Sequence, residues 1–260
     1  MLFSHIFLAK SSENQYDTPL LILHGFLGMS DNWKTLATQY ADNNLSVHAI
    51  DLRNHGRSLH SEVFNYEVMT DDLLEYCLDK NIQKCHLLGH SMGGKLAMFF
   101  AAKYPKMVEK LVIADIAPKY YEPHHDAILN GLRAIDFSIQ PSRAAVEAVL
   151  SLHVSDFGTR QFLLKNLYWQ TPNQLAFRFN LQAFLNNLDS VGEALPLNAL
   201  FEKPTLFIRG GNSDYILDSD FVMIKKHFPQ SKIETIPNVG HWLHAENPKN
   251  FLRITLDFLN

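Results

Sequence analysis

Six residues, Gly89-His90-Ser91-Met92-Gly93-Gly94, constrain the fold more than any other stretch of the chain. Ser91 has a glycine two positions away on each side. This spacing is typical of a turn so tight that flanking side chains would collide with the neighbouring strand and helix. Residues 85–88 form a short apolar run of buried-strand type, and residues 92–104 show helical periodicity. The sequence therefore predicts a strand, a sharp turn that exposes Ser91, and a helix.

Strand-like and helical stretches alternate along most of the chain. The pattern predicts strands over residues 2–9, 20–23, 46–50, 85–88, 110–116, 204–208 and 232–236, and helices over residues 33–40, 66–79, 92–104 and 248–259. A polar segment over residues 10–18 is expected to join the first two strands. Such alternation is typical of an α/β fold with a mostly parallel central sheet and flanking helices, in which functional groups follow the carboxyl ends of the strands.

Residues 119–200 depart from this alternation. They are mostly helical by period and rich in aromatic side chains, with a short alternating stretch expected within residues 174–181. We therefore expect residues 1–118 and 201–260 to form the α/β core, and residues 119–200 to form a helical cap, or lid, over Ser91. His124 and His125 are expected to flank a helix of this insertion. In the core, Asp51 and Arg53 are expected to form an ion pair that fixes their loop.

Charge and composition exclude several classes of function. The net charge is -4 with both signs interspersed, which argues against a nucleic-acid or polybasic membrane surface. No apolar run approaches 18 residues, so a membrane span is not expected. The two cysteines give no disulfide framework, and residues 1–10 lack the features of a secretion signal. These observations predict a cytoplasmic globular protein with a small-molecule partner, and they leave its oligomeric state open.

The predicted strand over residues 20–23 opens into His24-Gly25-Phe26-Leu27-Gly28. An H-G-x-x-G loop in this position supplies one backbone N–H to an oxyanion hole, and the residue after the nucleophile supplies the other. The predicted donors are therefore the N–H groups of Phe26 and Met92.

A serine nucleophile needs a nearby base, and the base needs a carboxylate that fixes its tautomer. His241 is the predicted base, because it follows a late strand in a Gly-His turn and comes after both candidate acids. Asp115 and Asp214 each lie at the end of a predicted strand, so their positions leave both open as the acid. His244 suggests a metal ligand, but no further His or Cys completes a ligand spacing, and no metal is predicted.

Short motifs between His24 and Glu246 resemble those of the α/β-hydrolase superfamily, and more narrowly those of the YbfF-type bacterial acyl esterases. They are H-G-F-x-G, D-x-R-N-H-G-x-S, G-H-S-M-G-G-K, D-I-A-P, G-G-N-S and G-H-W-x-H-A-E. The resemblance implies a carboxylesterase for short acyl esters and acyl-CoA thioesters that needs no cofactor. It also implies Asp115 of D-I-A-P as the acid, with Ser213 of G-G-N-S nearby as an auxiliary residue. Asp214 remains the alternative acid.

The sequence thus predicts a serine esterase that works through an acyl-enzyme. Two other functions stay open. One is a different reaction of a serine α/β-hydrolase, such as carbon–carbon bond hydrolysis or a lyase reaction, since the motif around Ser91 does not separate these. The other is a non-catalytic receptor that uses the capped pocket to bind a ligand.

Overall fold

A computed structural model describes residues 1–10, 18–123 and 125–260. Its strands are β1 (Ser4–Phe7), β2 (Leu20–Leu23), β3 (Val47–Ile50), β4 (Cys85–His90), β5 (Val108–Ala114), β6 (Leu167–Thr171), β7 (Gln174–Phe177), β8 (Thr205–Gly210) and β9 (Ser231–Ile236). Seven of them form the main sheet, in the spatial order β1-β3-β2-β4-β5-β8-β9, and β6 and β7 form a separate pair. Within the main sheet only β1 runs antiparallel to its neighbour, and the other pairs are parallel. The predicted mostly parallel α/β sheet is confirmed.

The helices are α1 (Lys34–Asp42), α2 (Tyr66–Asp79), α3 (Met92–Lys103), α4 (Asp126–Arg133), α5 (Arg143–Ser151), α6 (Phe157–Leu164), α7 (Leu181–Asn186), α8 (Leu188–Val191), α9 (Phe221–His227), α10 (Leu243–Glu246) and α11 (Pro248–Leu259). Helices α1 and α11 pack on one face of the main sheet, and α2 and α3 pack on the other. All four residues of β2 are buried, as expected for a parallel strand with helices on both sides. Among the described residues, no helix is long and apolar enough to cross a membrane.

Two apolar cores lie on opposite faces of the sheet. One contains Trp33 and Phe251, from the segment before α1 and from α11. The other contains buried residues of α2 and α3 and continues into the segment between β5 and β8, where it includes Phe184. Because this second core is continuous, the segment between β5 and β8 packs directly onto the sheet side that carries α3.

The segment between β5 and β8 contains helices α4 to α8 and an antiparallel hairpin of β6 and β7. Backbone bonds join its two ends: Tyr121 N donates to Gly192 O (2.9 Å), and Leu195 N donates to Pro118 O (2.9 Å). The buried Lys95 of α3 also donates from Nζ to the carbonyls of Lys119 and Glu193. The beginning and the end of this segment are therefore hydrogen-bonded to each other and to α3.

Several local predictions need correction. The first strand covers only Ser4–Phe7, and α9 and β6 were not predicted. The expected ion pair of Asp51 and Arg53 is wrong: Arg53 pairs with Asp72 of α2 (2.6 Å). Asp51 instead accepts the backbone N–H groups of Ser30 (2.6 Å) and Arg57 (2.8 Å), so its carboxylate joins its own loop to the segment that follows β2. Most of the predicted polar connection over residues 10–18, namely 11–17, lies outside the described residues, as does His124; His125 immediately precedes α4.

Candidate active site

Ser91 lies between the end of β4 and the start of α3 in a strained backbone conformation. Its φ is 52° and its ψ is -120°, a region that L-residues rarely adopt. The flanking glycines are required by contact distances: a Cβ on Gly89 would lie 2.2 Å from Gly93 O, and one on Gly93 would lie 2.3 Å from Leu23 O. The turn thus holds the partly exposed Ser91 side chain above the sheet, as the glycine spacing predicted.

Phe26 and Met92 flank Ser91 on one side. Gly28 N donates to Gly25 O (3.0 Å) and closes the turn that contains Phe26. Met92 is the first residue of α3, so its N–H has no acceptor within its own helix. Together with Ser91, both residues line a cavity of about 30 Å³. The structure therefore brings together the predicted nucleophile and the two residues predicted to donate to an oxyanion.

Two buried histidines hold the turn around Phe26. His24 contacts Gly25 O through Nδ1 (2.8 Å) and accepts from Leu52 N at Nε2 (3.0 Å). His55 contacts Arg53 O through Nδ1 (2.8 Å) and accepts from Leu27 N at Nε2 (3.2 Å). Each ring therefore needs one protonated and one free nitrogen, which is the neutral form. Burial lowers the pKa of both His24 and His55, in agreement with this assignment.

Asp115 follows β5 and is fully buried. Its Oδ1 accepts Gly210 N (3.0 Å), and its Oδ2 accepts both the Ser213 hydroxyl and His241 Nδ1, the latter at 2.8 Å. Asp214 is exposed, although it is the next residue after Ser213. The structure thus brings Asp115 and Ser213 to His241 and leaves Asp214 at the surface.

His241 is fixed from three sides. Its Nδ1 bonds to Asp115, its ring stacks on Tyr215 with centroids 3.7 Å apart, and its backbone carbonyl accepts from His90 Nε2 (2.9 Å). Because Nδ1 donates to a carboxylate, Nε2 remains the free acceptor. His241 and Ser91 line a common cavity of about 250 Å³. Among the described residues, no hydrogen bond joins Ser91 Oγ to His241 directly, a bond that often forms only when substrate binds.

The surroundings of His241 are uncharged histidines rather than metal ligands. Burial lowers the pKa of His90 well below its ordinary value and lowers the pKa of His244 to about 3. The His244 ring stacks on Trp33 with centroids 4.2 Å apart, which explains its position without a metal. Within residues 1–10, 18–123 and 125–260, no three His, Cys, Asp or Glu side chains are grouped to hold a metal ion.

Sequence reasoning missed two groups in this site. Tyr215 stacks on His241, and His90 bonds to its carbonyl. His90 lies inside the motif around Ser91, so its proximity to the site could have been read from the sequence. Nothing in the sequence around Tyr215 indicates a stacking role, because the contact depends on how two separate loops meet.

The chain is similar to known proteins of one family. The family model of the alpha/beta hydrolase fold matches residues 18–135. The sn-1-specific diacylglycerol lipase ABHD11 of Danio rerio is 37% identical over 93% of this chain and 78% of its own length. Esterase YbfF of Escherichia coli is 34% identical over 97% of each chain. A solved structure of a marine microorganism esterase superposes with a TM-score of 0.93, at 38% identity, over 99% of this chain and 98% of its own.

These relatives align over 93% to 99% of this chain. The resemblance expected from the sequence motifs is thereby confirmed. The chain belongs to the α/β-hydrolase family, among its ester hydrolases.

Proposed function

We propose that the protein is a serine esterase in which Ser91 is the nucleophile, His241 the general base and Asp115 the orienting acid. The observation that supports this most directly is the bond between His241 Nδ1 and Asp115 Oδ2 (2.8 Å) beside a cavity that Ser91 shares. This bond leaves His241 Nε2 free to accept the Ser91 proton. Ser213 is an auxiliary residue that donates to the same carboxylate oxygen.

In the first half of the proposed reaction, Ser91 Oγ attacks the acyl carbon and its proton moves to His241 Nε2. The carbonyl oxygen becomes an oxyanion, which accepts the N–H groups of Phe26 and Met92. The bond to the leaving group then breaks, and the leaving oxygen takes the proton from His241. In the second half, water attacks the acyl-enzyme and gives its proton to His241, and Ser91 leaves with that proton as the acid is released.

The two cavities beside Ser91 suggest how an ester lies in the site. The leaving group must face His241 to be protonated, so it occupies the cavity of about 250 Å³ that His241 lines. The acyl group then lies in the cavity of about 30 Å³ between Phe26 and Met92. This cavity is much smaller than the one that His241 lines, so the expected acyl group is short. Short acyl-CoA thioesters are the second proposed substrate class, since the same steps cleave a thioester.

Residues 119–200 act as the cap in this proposal. His125, Thr159 and Phe162 belong to this segment and line the larger cavity, so the cap supplies part of the wall for the leaving group. The proposed partner is a small acyl ester or thioester in the cytoplasm, and none of the proposed steps needs a cofactor.

The proposal is tested by hydrolysis of p-nitrophenyl esters from acetyl to palmitoyl, and of acetyl-CoA with thiol detection. We expect turnover to be highest for the shortest acyl groups. Ser91→Ala and His241→Ala should each lower kcat by at least about a thousandfold. Ser142→Ala is the matched control, because Ser142 is the exposed N-cap residue of α5. This variant should retain full turnover. Undiminished turnover in His241→Ala would rule out the proposed base.

A further inference from the structure

We propose that Asn166, in the segment between β5 and β8, is a positioning residue for residues 24–28, the oxyanion loop. The Phe26 N–H then points toward the oxyanion only while the cap packs against this loop. Asn166 Nδ2 donates to Leu27 O (2.9 Å), across 139 positions of sequence. Leu27 directly follows Phe26, whose N–H is proposed to donate to the oxyanion. The inference rests on the proposed function, because it assigns a second residue to the same step.

Leu27 has a strained backbone conformation. Its φ is 59°, in the left-handed region, and it is a branched apolar residue that gains no local hydrogen bond from its own side chain there. Such a conformation persists only when the surroundings determine it. Leu27 N is held by His55 Nε2 (3.2 Å), which belongs to the core, and Leu27 O is held by Asn166, which belongs to the cap. The oxyanion loop is therefore hydrogen-bonded once to the core, at Leu27 N, and once to the cap, at Leu27 O.

The Asn166 side chain makes no hydrogen bond to the described residues other than the one to Leu27 O. It is fully buried, and its Oδ1 has no hydrogen-bond partner among the described residues. Leaving a buried amide oxygen unpaired is costly, and an apolar residue would avoid that cost. The backbone of Asn166 is itself fixed, since its N–H donates to Leu163 O (3.0 Å) and its carbonyl accepts Arg178 N (3.0 Å). The Asn166 side chain therefore donates to Leu27 O from a backbone that is itself held by two hydrogen bonds.

The cap also contacts the side chain of Phe26, the proposed donor residue. The Phe26 ring packs edge-on against Phe184 of α7, with centroids 4.9 Å apart, and Phe184 is fully buried. Phe184 also lies 4.6 Å from the His55 ring, which holds the other side of Leu27. The turn that contains Phe26 is thus enclosed by the cap on its side-chain face and bonded to it at the next residue. A shift of the cap would disturb both contacts.

The test compares Asn166→Leu and Asn166→Ala with Asn187→Ala. Asn166→Leu keeps a side chain of similar size but replaces the donor with a methyl group, and Asn166→Ala removes the donor together with most of the side chain. Asn187 is the matched control, because its Nδ2 also joins the cap to a core carbonyl, Glu62 O (2.9 Å), away from the oxyanion loop. Circular dichroism and melting temperature establish that each variant is folded before kcat, KM and inhibition by a short trifluoromethyl ketone are measured.

The ketone forms a tetrahedral adduct with a serine and places an oxyanion in the hole, so it reports on the Phe26 N–H. We expect both Asn166 variants to lose about tenfold or more in kcat with KM little changed, since complete loss of one donor costs about 10²–10³. Inhibitor affinity should weaken by the same factor, and Asn187→Ala should change none of these values. Full kcat in either folded Asn166 variant overturns the inference, as does an equal loss in Asn187→Ala. If the wild-type protein has no esterase activity and does not bind the ketone, the proposed esterase function itself is refuted.

Discussion

Replacing Asp115 with asparagine separates the two candidate acids. Asp115 Oδ2 accepts from His241 Nδ1 and from the Ser213 hydroxyl, and Oδ1 accepts from Gly210 N. An asparagine has one acceptor oxygen and an NH2 group, so it cannot accept at both positions. With the oxygen facing Gly210, the NH2 group faces His241 and favours the tautomer that carries its proton on Nε2. That tautomer cannot take the proton of Ser91.

The expected loss in kcat is about ten-thousandfold, the size found when the acid of a serine protease triad becomes an amide. The backbone tolerates the change, because Asp115 has a φ of 52° and asparagine adopts the left-handed region as readily as aspartate. The assay is p-nitrophenyl acetate turnover by Asp115→Asn beside Asp214→Asn, with a melting curve of each variant. Asp214 is exposed, so its variant should keep wild-type kcat. A collapse of turnover in Asp214→Asn alone would refute the assignment of Asp115.

Two further predictions concern stability. Lys95→Met should lower the free energy of unfolding by about 1–3 kcal/mol in urea titrations, since the carbonyls of Lys119 and Glu193 lose a shared buried donor; an unchanged midpoint would contradict this role. Burial lowers the pKa of His244 to about 3, so between this value and about 6.5 the folded state binds fewer protons than the unfolded chain. The free energy of unfolding should therefore fall as pH falls through that window, by up to about 1.4 kcal/mol per pH unit from this group. His244→Phe, which keeps an aromatic ring beside Trp33, should make the slope shallower, and an identical slope would refute the assignment.

The parts of the fold that depend on local sequence were predicted well. Helices α2 and α11 begin and end where the periodicity placed them, because each has a local start signal: the Asn65 side chain accepts Val68 N at the start of α2, and Pro248 opens α11. The strained turn at Ser91 was likewise predicted, since the glycine spacing is itself a consequence of the contacts there.

The hairpin of β6 and β7 was only partly predicted. The sequence indicated an extended stretch near residues 174–181, and β7 covers Gln174–Phe177. Its partner β6 lies in a segment whose residues also fit a helical period, and three of its five residues are exposed. Without a buried face along most of its length, β6 gives no clear alternation of apolar and polar residues.

The choice of acid could not be made from residue positions, because Asp115 and Asp214 both follow strands of the sheet. In the structure the direction of one loop gives the two carboxylates different surroundings, which supports the proposal of Asp115. After β8 the chain turns so that Ser213 faces Asp115 while Asp214 faces solvent. Neighbouring residues point in different directions in such a turn, and the sequence does not encode that direction in a recognisable pattern. The bond between Asn166 and Leu27 was not predicted for a similar reason, since 139 positions separate the two residues.

Covalent labelling tests most directly whether Ser91 forms the acyl-enzyme. Intact-mass and peptide mass spectrometry after incubation with a fluorophosphonate, with esterase activity followed in parallel, locates the modified residue. We expect one adduct per chain, on the peptide that contains Ser91, formed at the rate at which activity is lost, and none in Ser91→Ala. Labelling that is equally fast in Ser91→Ala, or complete labelling of Ser91 with activity retained, would contradict the account.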